Sequence, residues 1–296
     1  MAAVSRIELS PPGRRLLLDG LAVVGVVFAL AVMIPRGAAT DGGVAGQDCW
    51  AYWESARRLR AGGELYIAGV GGHAAYLYPP LLVQLFLPLS FLPFTACLWL
   101  WRALLFGALT VAVGSPRNAG LALLLFPPVL AEIDSANVHL LLAAATAEAI
   151  RGRAGWVVPA ALTKYATIVA APVLWFTACR SLLAGAAGAL GIVAVSVALA
   201  PGPWVDWARF MMSSPSGGQI GWYELSSFVG WPVRAAACVA AVALAFRWRR
   251  MLAVAVTLAL PVLWFHGLSV LAAAVATPDR AGWLLARPAR AKGATA

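Results

Sequence analysis

Long apolar runs separated by short polar or basic breaks fill nearly the whole chain: residues 16–35, 78–101, 103–113, 119–131, 138–150, 156–178, 182–200, 229–246 and 251–277. About 20 apolar residues cross a hydrocarbon core as a helix. The strands of a membrane barrel would alternate apolar and polar positions, whereas these runs are continuous. Lipid offers the backbone no hydrogen-bond partner, so the chain must satisfy its own amides, and the pattern predicts helices. The expected fold is all-α, a polytopic transmembrane bundle of about 8–11 membrane helices with short broken ones among them.

Basic residues cluster at the breaks: Arg14 and Arg15, Arg151 and Arg153, Arg247 to Arg250, and Arg280 to Lys292. Such clusters mark cytoplasmic segments. The expected organisation is a cytoplasmic N-terminus at 1–15, one transmembrane domain at 16–277 and a basic cytoplasmic tail at 278–296. Two outer loops fall at about 36–77 and 201–228, the second carrying Trp204, Trp207, Trp222 and Tyr223 at headgroup level. The run after the basic N-terminus reads as an uncleaved first helix, without a convincing cleavage site behind it.

Spacing raises a conflict. Arg153 and Arg180 both carry the cytoplasmic mark, yet only 26 residues separate them, and two full crossings need about 40. The interval from Arg250 to Arg280 poses the same problem, as does that from Arg117 to Arg151. One resolution is a pair of half-helices turning at membrane depth, which lipid tolerates only where they line protein or water. The other is a single tilted span that breaks the charge rule. Each interval has ionisable or polar residues near its middle: Lys164 in the first, His266 in the second, and Glu132, Asp134, Asn137 and His139 in the third.

Composition sharpens this picture. The chain is 62% apolar and 11% charged, with a net charge of +10. That charge sits in the breaks and accompanies no RNA-binding signature, so it implies topology and contact with anionic lipid and no nucleic acid. Cys49, Cys97, Cys179 and Cys238 lack metal spacing and read as small apolar residues.

Acidic residues are scarce, and ionisable groups at membrane depth are costly enough to be functional candidates. In the first outer loop, 49–61 predicts a short helix ended by Gly62 and Gly63. Trp50 and Trp53 are expected to seat it in the interface, with Arg57 and Arg58 reaching toward phosphate. Asp48 opens that helix, either as an N-cap or as a partly desolvated general base. Tyr76-Leu-Tyr78-Pro79-Pro80 follows, a stiff start to the next helix. No cofactor is evident and no dedicated metal cage stands out; a divalent cation shared by Asp48 and Glu54 is conceivable but nothing in the pattern indicates it.

In this order the motifs resemble glycosyltransferase family 87, polyprenyl-phosphate-sugar-dependent enzymes with the type-C membrane fold. Asp48, Tyr52, Gly63 and Tyr66 resemble the family's Asp-x3-Tyr…Gly-x2-Tyr loop, and Tyr78-Pro79-Pro80 with Pro88 its Tyr-Pro-Pro…Pro segment. Ser135-Ala136-Asn137 stands where the family has Gly-Gln-Asn, Lys164 where it has a lysine, and Trp264-Phe265-His266 where it has Trp-x-His-His, with Gly267 in place of the second His. The resemblance implies transfer of mannose or arabinofuranose from a polyprenyl-phosphate donor to a glycolipid or cell-envelope glycan acceptor. The reaction would lie on the extracytoplasmic side of a bacterial-type plasma membrane. Asp48 would be catalytic, with Tyr52, Arg57, Arg58, Tyr78, Asn137, Lys164 and His266 binding substrate. The alternatives are a transporter or lipid flippase, whose expected internal repeats are not found, and a non-catalytic membrane scaffold.

Overall fold

The computed structural model describes residues 10–37, 45–66, 76–213, 225 and 228–277. It is a polytopic helical membrane protein, without strands among the described residues. Three helical stretches have the length and apolarity to cross a bilayer: Pro11–Arg36, Phe94–Val113 and Tyr165–Leu199. Many large side chains on these and neighbouring helices face outward, including Phe28, Phe176, Leu190, Leu199 and Val239, as a lipid-facing surface requires.

The first run becomes α1 (Pro11–Gly37). It packs on α5 (Pro116–Leu125) through a crossing so close that a Cβ on Gly25 would lie 2.0 Å from the carbonyl oxygen of Gly120. Small residues permit such approach, and between apolar helices close contact is the main attraction. The loop helix is α2 (Gln47–Arg60). The run at 78–101 is broken as its prolines predict, into α3 (Pro80–Phe86), a 3₁₀ turn at Pro88–Phe91 and the start of α4.

One division in the sequence pattern does not survive. Arg102 separates the runs 78–101 and 103–113, yet α4 (Phe94–Val113) passes straight through it. The guanidinium is buried and donates to the backbone oxygens of Ile133 and Asp134, at 3.2 Å each, and to the Asp134 carboxylate at 3.5 Å. Arg36 reaches the same carboxylate at 3.0 Å. An arginine with these partners is tolerated inside a membrane helix, because its donors are matched by carbonyls and a counter-charge.

In each of the three short intervals the helix is interrupted. The first is α5, then α6 (Pro127–Ser135) and α7 (His139–Ile150). The second is α8 (Val157–Ala161), a 3₁₀ helix at Tyr165–Ala170 and α9 (Ala171–Leu199). The third is α12 (Met251–Leu258) and a 3₁₀ helix at Phe265–Val275. α9 itself leaves helical geometry at Ala178 (φ −154°, ψ 38°), beside Arg180, so the runs 156–178 and 182–200 meet at a bend. Ser181 just past the bend accepts from the Gly155 amide at 2.9 Å. The expected second outer loop begins as a helix, α10 (Pro201–Ser213), where the Trp204 indole donates to Ser196 at 2.9 Å. Trp222, Tyr223 and the basic tail lie outside the described residues. α11 (Trp231–Ala245) packs on α12.

Candidate active site

Each broken helix interrupts at a residue with chemistry. α6 closes on Ala136, a non-glycine residue in the left-handed region (φ 58°), and Asn137 fills the gap before α7. Lys164 is extended (φ −144°, ψ 122°) between α8 and its 3₁₀ continuation. His266 follows extended Trp264 at the start of the last 3₁₀ helix. The three tips converge. The Lys164 Nζ lies 2.8 Å from the Nε2 of His139, the first residue of α7. The Asn137 amide is 3.5 Å from His266 Nε2, and the rings of His139 and His266 lie 5.2 Å apart.

α2 sits against this cluster. Its first residue follows Gly46, whose amide donates to the Asp134 backbone oxygen at 2.7 Å, tying α2 to the end of α6. Asp48 is therefore in the first turn and not the cap, where the exposed amides of the helix start favour a carboxylate. One turn on, buried Tyr52 donates toward the Tyr78 hydroxyl (3.0 Å) and Asn137 Oδ1 (3.1 Å). The Tyr78 hydroxyl also meets Asn137 Oδ1 at 3.1 Å, and Lys164 lies over the Tyr78 ring, 5.5 Å from its centre. Lys164 lies in the electrostatic field of Asp48 and Glu132. Tyr66, in the loop beyond α2, donates to the Tyr78 backbone oxygen at 2.7 Å. Its burial, with Asp206 nearby, pushes that phenol above its ordinary pKa.

The arrangement is layered. Asp48, Tyr78, Lys164 and His266 are half-buried, while Tyr52, Glu132, Asn137 and His139 are buried behind them. A family model, that of Glycosyltransferase family 87, matches residues 76–286, well over half the chain. The chain belongs to glycosyltransferase family 87. It is therefore a sugar-transferring enzyme, and the transporter and scaffold readings fall away. The comparisons with curated proteins and with solved structures return no match. The matched span of this family-87 glycosyltransferase includes Tyr78, Asn137, Lys164 and His266 and begins after Asp48, Tyr52, Arg57 and Arg58.

The structure brings Tyr52, Tyr78, Asn137, Lys164 and His266 into one constellation, with Asp48 at its edge. It does not bring Arg57 and Arg58 there. They lie nine and ten residues past Asp48 on the same helix, roughly 13–15 Å along its axis. Arg57 pairs with Glu54 at 3.0 Å and Arg58 with Ser55 at 2.9 Å, beside a separate shallow cleft completed by Arg60 and Ala61. Trp50 and Trp53 pack against Phe94, and the Trp53 indole donates to the Leu92 backbone oxygen at 3.1 Å, so they fix α2 to the start of α4.

Two residues of the family-87 enzyme that the sequence reading left outside its site belong to the cluster. Glu132 and His139 are both fully buried, and the Glu132 carboxylate accepts from the His139 backbone amide (2.6 Å) and ring Nδ1 (2.8 Å). Their spacing across an interrupted helix, seven residues apart, was the available signal. With His266 they put ligand-type atoms within 4.8 Å of one another. Both nitrogens of His139 are already engaged, one by Glu132 and one by the Lys164 amine. A lysine nitrogen on an imidazole nitrogen fits a hydrogen-bonded chain and competes with a metal ion for the same lone pair.

Proposed function

We propose that this glycosyltransferase moves a hexosyl or pentosyl unit, mannose or arabinofuranose, from a polyprenyl-phosphate donor to a glycolipid or envelope-glycan acceptor. Transfer takes place on the extracytoplasmic side of a bacterial-type plasma membrane. The observation that supports this most is a carboxylate and an amine at one cluster: Asp48 stands one turn before Tyr52 on α2, and Lys164 lies 5.5 Å from the centre of the Tyr78 ring, whose hydroxyl Tyr52 meets. A donor whose leaving group is a lipid phosphate needs that pairing of a base and a cation, and it needs them where a prenyl chain can approach from lipid.

In this reading Asp48 accepts the proton of the acceptor hydroxyl as its oxygen attacks the anomeric carbon. The bond from that carbon to the phosphate oxygen breaks, and the polyprenyl phosphate departs with one more negative charge than it carried as the sugar ester. Lys164 faces that developing charge, the kind of preorganised electrostatic contact that gives the largest share of such catalysis. Tyr78, Asn137 and His266 orient the sugar, and Tyr52 holds Tyr78 and Asn137 in place. Arg57 and Arg58, remote from the cluster, contact anionic headgroups at the rim.

The test is transfer of radiolabelled sugar from polyprenyl phosphate to membrane glycolipids by the purified protein. Asp48→Asn is expected to lower turnover by about 10²–10⁴-fold, the usual contribution of a general base, with the unfolding midpoint unchanged. Full activity in that variant removes Asp48 from the role.

A further inference from the structure

Behind Lys164 the hydrogen bonds run in one direction. With Glu132 ionised, its carboxylate can only accept, and the 2.8 Å contact between Oε2 and His139 Nδ1 then places a proton on Nδ1. In the neutral ring that leaves a bare lone pair on Nε2, which is where the Lys164 amine sits, at 2.8 Å. Glu132 is itself held: its other oxygen accepts the His139 amide at 2.6 Å at the start of α7, a position that favours negative charge. Gly267 packs beside that ring, where a Cβ would press on Leu260 at 3.0 Å and touch His139 Nε2 at an ordinary 3.7 Å.

We infer that Glu132 and His139 are positioning residues, a carboxylate–imidazole relay that fixes the His139 tautomer and so holds the Lys164 ammonium, charged, toward the phosphate of the lipid donor. The inference rests on the transfer reaction proposed above for its catalytic consequence, though not for its structural one. The relay spans two broken helices. Glu132 lies in the last turn of one half-helix, His139 begins the next, and Lys164 lies in the break between α8 and its 3₁₀ continuation. Neither Glu132 nor His139 reaches the half-buried layer where substrate would lie, so their effect passes through Lys164.

The structural part is tested without any substrate. The chain has three histidines, His73, His139 and His266, so solid-state NMR of ¹⁵N-histidine-labelled protein in bilayers gives few signals, and His139→Gln assigns one of them. The expected signal has a protonated Nδ1 and a hydrogen-bonded, unprotonated Nε2, and it changes in Glu132→Gln. An Nε2-protonated His139 in the unaltered protein overturns the relay, whether or not the protein transfers sugar. The catalytic part is read in kcat/KM for the polyprenyl-phosphate donor. Glu132→Gln and His139→Leu are each expected to lower it by about 10²-fold, the scale for losing one preorganised electrostatic contact. His139→Gln restores most of it, because a carboxamide can donate to Glu132 and accept from Lys164 as the imidazole does. In a Lys164→Met background Glu132→Gln costs almost nothing further. Additive losses in that double variant, or full activity in a folded His139→Leu, overturn the assignment. Should Glu132→Gln fail to fold, His139→Leu against His139→Gln carries the same comparison.

Discussion

Asn137 offers a sharp test of how the constellation is held, because one oxygen serves three donors. Its Oδ1 lies 3.1 Å from the Tyr52 hydroxyl, 3.1 Å from the Tyr78 hydroxyl and 2.7 Å from the Val138 backbone amide. In Asn137→Ala the two phenols can still bond to each other, since their oxygens are 3.0 Å apart, but one phenol proton and the Val138 amide lose their acceptor. Each stranded buried donor costs about 1–3 kcal/mol, so the variant is expected to lose about 2–6 kcal/mol. Tyr52→Phe removes a donor and leaves Oδ1 with two, and its cost should be the ordinary net value of one hydrogen bond, about 0.5–1.5 kcal/mol. The measurement is reversible unfolding in mixed micelles, followed by tryptophan fluorescence. If Asn137→Ala and Tyr52→Phe prove equal, the shared-acceptor argument is wrong.

Two further outcomes follow from packing. Gly120→Val places a branched side chain where a Cβ alone would already lie 2.5 Å from the Ala22 carbonyl oxygen, and it should pry α1 from α5 at a cost of about 1–3 kcal/mol or more. The control is Gly188→Ala, which meets nothing within 4 Å and should be neutral or slightly stabilising in the same unfolding assay. Arg102→Leu strands the backbone oxygen of Ile133, leaves that of Asp134 with the Gly46 amide alone, and removes one of the two cations on Asp134, for an expected loss of about 1–3 kcal/mol. Arg102→Lys should recover little of it, since an ammonium cannot fork between those oxygens, and full recovery would show that charge alone suffices there.

The broken helices were legible in the sequence because topology leaves a residue count too small for two crossings, and the polar residue in each short interval marks the break. Lys164 and His266 were visible for that reason, and Asn137 with them. What was hidden depends on tertiary partners. Arg102 looks like a boundary in a linear reading and proves to be the buried interior of a helix, because its acceptors come from residues some thirty positions away. Glu132 and His139 were seen as members of a hairpin tip, but nothing in one sequence says that Lys164 from another hairpin would settle on the imidazole. Arg57 and Arg58 carry the right charge, yet helix rise alone separates them from Asp48.

The meeting of three helix interruptions also bears on how the protein is made. None of the three tips can satisfy its polar side chains alone: Asn137 needs Tyr52 and Tyr78, His139 needs Lys164, and His266 needs the residues around Asn137. During synthesis the first tip must therefore wait, with water or the insertion machinery as its partner, until residues near 164 and then 266 emerge. Maturation of the reactive cluster is thus deferred to the last hairpin, and a nascent chain stalled before position 251 should be a substrate for membrane proteases, whatever the quality of its earlier spans.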